Sequence, residues 1–136
     1  MRIVLDTNVF ISGVFFTGPP YRILESWRDG KLRLVLSQEI LEEYQRVGSI
    51  LAEQYPDIDL YPMLELVAVK AEIFPVQKLP APACEDPEDD KFIACALASK
   101  TKIIISGDKH LLKVSGFSEI RILNPRKFVD EYITRL

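Results

Sequence analysis

The sequence predicts an α/β domain organised around a parallel sheet. Short apolar runs alternate with longer segments of helical period, the rhythm of βαβ units. Two of the runs end on an aspartate: Arg2-Ile-Val-Leu5 leads into Asp6-Thr7-Asn8, and Lys102-Ile-Ile-Ile105 leads into Ser106-Gly107-Asp108. Runs of this kind read as strands buried on both faces, and open α/β sheets hold their ligands beyond the carboxyl ends of such strands. The 136 residues suit one domain, 1–136, burying about 70% of its unfolded surface.

Strands are expected at 2–5, 33–36, 73–76, 103–106 and 120–123, with helices filling the gaps. Pro19-Pro20 fits a first helical turn, and Tyr21, Leu24 and Trp27 follow at helical spacing until Asp29-Gly30 stops the segment. Ser37 is a candidate N-cap for a helix from Gln38, and Asp57 for the helix carrying Leu60, Leu64, Val67 and Ala71. Residues 77–86 hold two prolines and no periodicity, so they read as a surface connection rather than a domain linker. Asp86-Pro87 fits an N-cap and first helical position, ahead of a buried stripe of Phe92, Ile93, Ala96 and Leu97. Asn124-Pro125 opens a last helix whose apolar stripe is Phe128, Val129, Tyr132 and Ile133.

Composition narrows the class. The chain is 48% hydrophobic and 27% charged, and no apolar stretch approaches the ~20 residues of a membrane helix. Met1-Arg2-Ile3-Val4 enters a strand pattern without a signal-peptide core, which makes the cytoplasm the expected location. Cys84 and Cys95 lack metal-finger spacing and are expected as free thiols, Cys95 in the core. A net charge of −3 is not that of a broad electrostatic clamp on nucleic acid. It does leave room for a nuclease, because acids gathered around bound cations reverse the local sign.

The acids are the chemistry-bearing residues. Asp6 follows a buried strand directly, so its carboxylate faces either the ligand crevice or a costly unpaired interior, with an Asx-turn as the plain alternative. Thr7 and Asn8 can orient a carboxylate or a water beside it, or serve the turn. On the helix from Gln38, Ile40, Leu41, Tyr44 and Val47 form the buried stripe; Glu42 points away, Glu39 lies to the side, and Glu43 stands on the border. Glu43 is thus the one placed to reach a crevice. Within Glu85-Asp86-Pro87-Glu88-Asp89-Asp90, Asp90 lies at the edge of the apolar stripe and is the ligand candidate. Asp86 fits an N-cap and Asp89 a capping-box acid, and either can serve as an outer partner. Asp108 closes the set as a ligand, a cap of the short helix carrying Leu111 and Leu112, or both, with Ser106 supplying a hydroxyl and Gly107 a special backbone angle. His110 is the only histidine, and no nucleophile elbow or Cys-His pair accompanies it. Four carboxylates without matching bases repel one another, and hard oxygen donors select Mg²⁺ or Mn²⁺, one ion or two. A divalent-metal phosphodiesterase site follows from these residues.

The ordered set of Val4-Leu-Asp-Thr-Asn-Val9, Leu36-Ser-Gln-Glu-Ile-Leu-Glu-Glu-Tyr44, Asp86-Pro-Glu-Asp-Asp-Lys-Phe-Ile-Ala94, Ile105-Ser-Gly-Asp-Lys-His-Leu-Leu112 and Ile122-Leu-Asn-Pro-Arg-Lys-Phe128 resembles the PIN-domain ribonucleases. It is closest in kind to the prokaryotic, VapC-like toxin components of toxin-antitoxin pairs. The resemblance implies a three-layer α/β/α fold with a five-stranded parallel sheet, and metal-binding acids at Asp6, Glu43, Asp90 and Asp108. It further implies RNA as substrate, an antitoxin protein as partner and a homodimer. Many relatives carry another aspartate just after the last catalytic one, where this chain has Lys109 and His110, which bears on a second metal.

Two readings from different classes stand. One is a metal-dependent endoribonuclease cutting single-stranded RNA; the other is a non-catalytic PIN-like module binding RNA or protein, which would gain nothing from four mutually repelling acids. A phosphohydrolase with Asp6 as nucleophile expects a second aspartate two residues on, where Asn8 stands.

Overall fold

The structure is a computed structural model describing residues 1–134, so the last two residues of the expected 1–136 domain lie outside the described residues. Strands β1 (Arg2–Leu5), β2 (Arg33–Leu36), β3 (Glu72–Ile73), β4 (Ile103–Ile105) and β5 (Arg121–Leu123) form one sheet in the order β3-β2-β1-β4-β5. Every pairing is parallel. The chain steps outward from β1 through β2 to β3, then returns to the far side of β1 for β4. That reversal makes the β1/β4 boundary the topological switch point, where open α/β sheets leave a crevice at the carboxyl ends of their strands.

Helices α1 (Thr7–Phe15), α2 (Pro19–Arg28), α3 (Gln38–Gln54), α4 (Tyr61–Lys70), α5 (Asp90–Ser99), α6 (Lys109–Leu112) and α7 (Pro125–Phe128) connect and flank the strands. Helix α5 packs across β1, β2 and β4, while α1 packs on α2 and α3, and α2 on α7, which completes three α/β/α layers. Helix α7 continues into a π-helical turn over Val129–Ile133. Buried on both sides, the central strands need no alternation: Ile3, Val4 and Leu5 of β1 and Ile103, Ile104 and Ile105 of β4 all lie inside. They belong to one continuous core that also takes in Phe10, Trp27, Tyr44 and Phe128. No helix among the described residues is long and apolar enough to cross a membrane.

Several elements differ from their sequence outlines for identifiable reasons. Strand β3 is shorter than 73–76 and begins earlier, pairing Glu72 and Ile73 with Val35 and Leu36. After Phe74 donates to the Leu36 carbonyl at 3.0 Å, Pro75 has no N–H to extend the ladder. This edge strand is pinned by Glu72, which pairs with Arg2 at 3.2 Å and also with Arg33. Helix α4 starts at Tyr61 with Pro62 in its first turn, and its first amide is taken by Asp59 at 3.0 Å rather than by Asp57. Asp86 is an N-cap with Pro87 in the first position after it, but the turn it starts is a 3₁₀ turn, Pro87–Asp89, before α5 proper. Gly107 keeps an ordinary backbone angle; positive φ among the glycines belongs to Gly18, Gly30 and Gly116.

Close packing of α1 on α2 depends on Gly13. A Cβ there would stand 2.6 Å from Leu24 Cδ1 and 2.8 Å from the Pro20 carbonyl oxygen, whereas a Cβ at Gly107 meets nothing within 4 Å. Gly13→Ala is therefore expected to destabilise the protein by about 1–3 kcal/mol. Gly107→Ala is expected to stay within about 0.5 kcal/mol of the wild type. Urea denaturation of the two variants checks this, and equal midpoints would refute the packing account.

Candidate functional site

The carboxyl end of β1 delivers Asp6 into the crevice at the switch point. The residue is 4% exposed. Its Oδ1 accepts from the Val9 N–H at 2.9 Å, which caps α1, and its Oδ2 accepts from the Ser106 hydroxyl at the end of β4. Ser106 in turn accepts from the Asp108 N–H at 3.0 Å, so one fully buried hydroxyl ties the acids at the ends of two adjacent strands. Burial raises the Asp6 pKa, as does the charge of Asp108, while the hydrogen bonds from Ser106 and Val9 oppose the rise. Cap and candidate ligand are thus the same residue. Asp108 repeats the pattern, accepting from the His110 N–H at 2.8 Å at the start of α6.

Helix α3 brings Glu43 to the same place. Glu39 and Glu42 are exposed and Glu43 is partly buried, the ranking that helical geometry sets. Glu43 Oε1 accepts from the Thr7 hydroxyl, next in sequence to Asp6. Behind them Tyr44 donates to the Leu5 carbonyl at 2.6 Å and stacks on Phe10, ring centroids 4.1 Å apart, fixing α3 against β1 and α1. Burial pushes the Tyr44 pKa well up, with Asp6 and Glu43 adding to the rise, so this hydroxyl serves as a neutral donor. The Asn8 side chain is exposed, and its backbone N–H helps to hold the Asp6 charge. His110 is paired through Nδ1 with Glu85 at 2.8 Å.

On α5 the structure departs from the sequence reading in two respects. Asp90 turns its carboxylate to the preceding loop, accepting from the Cys84 N–H at 2.9 Å and the Ala83 N–H at 3.2 Å. Asp89, read on the sequence as a capping acid, instead lies in the field of the other acids. Its pKa is raised to about 6 by burial and by Asp108, Asp86 and Asp6, and its Oδ2 is buried with no hydrogen-bond partner among the described residues. The helical signal for this was available: Asp89 stands one turn before Phe92 and Ile93, in line with the buried stripe. Asp86 remains a cap, accepting from the Glu88 N–H at 3.0 Å.

The second departure is a base. Lys91 lies inside, its side chain 4% exposed, with its ammonium donating to Glu43 Oε2 and standing 3.3 Å from Glu88 Oε2. Burial alone would lower its pKa, but the hydrogen bond and charge of Glu43, and those of Glu88, hold it above the ordinary lysine value. The expectation of acids without matching bases is therefore corrected at Glu43. A lysine in register with Cys95 and Ser99, both buried, was the sequence signal for an inward-facing cation.

Among the described residues, no three His, Cys, Asp or Glu side chains are grouped to hold an ion as they stand. Each of Asp6, Asp90, Asp108 and Glu43 is turned to a donor of the chain itself. The donor chemistry nonetheless fits a hard dication: oxygen only, charge repulsion concentrated on Asp6, Asp89 and Asp108, and one buried carboxylate oxygen left without a partner. A groove of about 700 Å³ runs between residues 76–82 and the first turns of α5, lined by Glu39, Lys78, Leu79, Pro80, Asp90 and Lys91 among others; Asp6, Asp89 and Asp108 are not among its lining residues.

Comparison with known proteins gives two findings. The family model of the PIN domain matches residues 2–110. The chain is also 28% identical to Uncharacterized protein MJ1680 of Methanocaldococcus jannaschii over 147 aligned positions, covering 97% of this chain and 92% of that one.

Asp89 provides a pH test. Its folded-state pKa of about 6 lies above the ordinary 3.8, so the folded chain binds a proton that the unfolded chain has released, and the stability this confers is lost as pH rises through that window. Asp89→Asn is expected to gain melting temperature relative to the wild type between pH 4 and pH 7 without metal. A constant difference across that range would show that burial and the neighbouring acids do not raise the Asp89 pKa.

Proposed function

The chain belongs to the PIN domain family, and on that premise we propose that it is a metal-dependent endoribonuclease hydrolysing phosphodiester bonds in single-stranded RNA. Nuclease activity is the family's general property, and its members typically use divalent metals. The observation that carries the reading is the buried Asp6 carboxylate, joined through Ser106 to Asp108 at the β1/β4 switch point. A carboxylate held there against desolvation and a like charge has a use as a cation ligand and no evident one as packing.

The residues that would hold Mg²⁺ or Mn²⁺ are Asp6, Asp108 and, from the 3₁₀ turn that leads into α5, Asp89, with Asp90 next to it in sequence. A bound dication would align the phosphodiester, lower the pKa of a water and offset charge on the leaving oxygen. Ser106 sets the spacing of the strand-end acids, and Thr7 holds Glu43 at the rim. No side-chain nucleophile is required. The groove along the start of α5 supports a chain-like substrate: it is open, falls within the usual volume range of ligand sites, and carries Lys78, a candidate phosphate contact, on the same lining as Asp90. Within this reading the chain acts as the toxin of a toxin-antitoxin pair, with an antitoxin as protein partner and a homodimer as the working form. Support for those three comes from the resemblance of the ordered segments, including Ile122–Phe128, to that subgroup.

Purified protein is expected to degrade labelled single-stranded RNA with Mn²⁺ or Mg²⁺ and to stop with EDTA. Asp6→Asn should reduce the rate by at least about 100-fold while remaining folded, since asparagine is an equally good N-cap for α1. Circular dichroism checks the fold of that variant. Wild-type cleavage by Asp6→Asn would sink the assignment, and RNA binding without cleavage in every metal would favour the non-catalytic module.

A further inference from the structure

We infer that Lys91 is a built-in counter-cation of the acidic site: its ammonium takes up Glu43 and leaves Asp6, Asp89 and Asp108 to hold a single divalent ion. This deepens the metal-dependent reading and rests on it. Both oxygens of Glu43 are engaged by the chain itself, Oε1 by the Thr7 hydroxyl and Oε2 by Lys91. Arg46 adds a second cation at 3.6 Å from the solvent side. Glu43 is only 17% exposed, so little water competes with these partners. Asp89 presents the opposite case, a carboxylate with neighbouring acids and a buried oxygen without a donor.

The position of Lys91 is what makes its charge informative. It occupies the core face of α5 with Cys95 and Ser99, where an apolar side chain would pack without the desolvation penalty of an ammonium. Its second partner, Glu88, is 77% exposed and contributes little. The buried lysine is thus matched to Glu43 specifically. One carboxylate of the set is neutralised by the polypeptide, and the remaining negative charge is concentrated on the strand-end acids and Asp89. With Glu43 taken up by Lys91, and Asp90 turned to the Ala83 and Cys84 amides, no further carboxylate of the set is left to share with a second ion.

The test is Mn²⁺ binding followed by calorimetry and by the paramagnetic resonance signal of free Mn²⁺, with no substrate present. Wild-type protein should take one ion per chain. D6N and D108N should weaken binding by more than about 10-fold, and E43Q by less. Without metal, K91M should lose roughly 10 °C of melting temperature because Glu43 is left charged and unpaired. With metal, K91M should take a second ion, and K91R should restore one. If K91M does not fold, the double variant E43Q/K91M, which leaves no stranded charge, should fold and bind one ion. Two ions in the wild type, loss of Mn²⁺ by E43Q equal to that of D6N, or a K91M protein with unchanged stability and stoichiometry would overturn the role of Lys91 and leave metal dependence standing. No Mn²⁺ binding by the wild type would remove the metal-dependent reading and this inference with it.

Discussion

A buried carboxylate at the junction of two parallel strands is the constraint from which the rest of this site follows. Asp6 is withdrawn from water, and the chain stabilises its charge chiefly through the Val9 N–H and the Ser106 hydroxyl. Neither donor is local to β1 alone. One requires α1 to begin at once after the strand, and the other requires β4 to lie beside β1 in register, as Leu5 does opposite Ile105. The strand order that puts β4 there is also the order that opens the crevice. Sheet topology and site chemistry are consequences of one arrangement.

Charge distribution follows from the same geometry. Negative groups arrive from β1, α3, the start of α5 and the end of β4, and left alone they would repel one another. The fold relieves part of this with its own groups: helix caps at Asp6, Asp86 and Asp108, loop amides at Asp90, and the Lys91 ammonium at Glu43. What remains unrelieved is narrow. It consists of the raised pKa values of Asp6 and Asp89 and the single buried Asp89 oxygen without a donor. Sites that hold strain of this kind are those with a ligand to gain, and under the proposed reading that ligand is a hard cation. Rigid neighbours keep the geometry in place, above all the Phe10–Tyr44 stack that braces α1 against α3.

Much of this was legible in the chain because it is carried by local pattern. The apolar runs of β1, β2 and β4 are continuous because parallel strands are covered on both faces. Ser37 and Asn124 cap the helices that follow them, accepting from the Ile40 and Lys127 amides, because side-chain oxygens three residues before a free N–H have little else to bind. Glu43 could be separated from Glu39 and Glu42 by helical angle alone. The outlines failed where two local rules competed. At Asp86–Asp90 the 3₁₀ turn shifts the phase of the helix, so a count along one ideal helix chose Asp90 while the backbone turned Asp89 inward. At residues 73–76 the apolar run suggested a longer strand than Pro75 allows.

By itself, the amino-acid sequence determined the α/β class, the order of most elements and the presence of acids at the ends of two strands, because periodicity, caps and strand ends are properties of neighbouring residues. Only the tertiary structure decided which oxygens face one another and which are already satisfied. Lys91 and Glu43 are 48 residues apart, and Ser106 and Asp6 are 100 apart. Their pairing is set by how α5 crosses the sheet and how β4 joins β1, distances that no local pattern encodes.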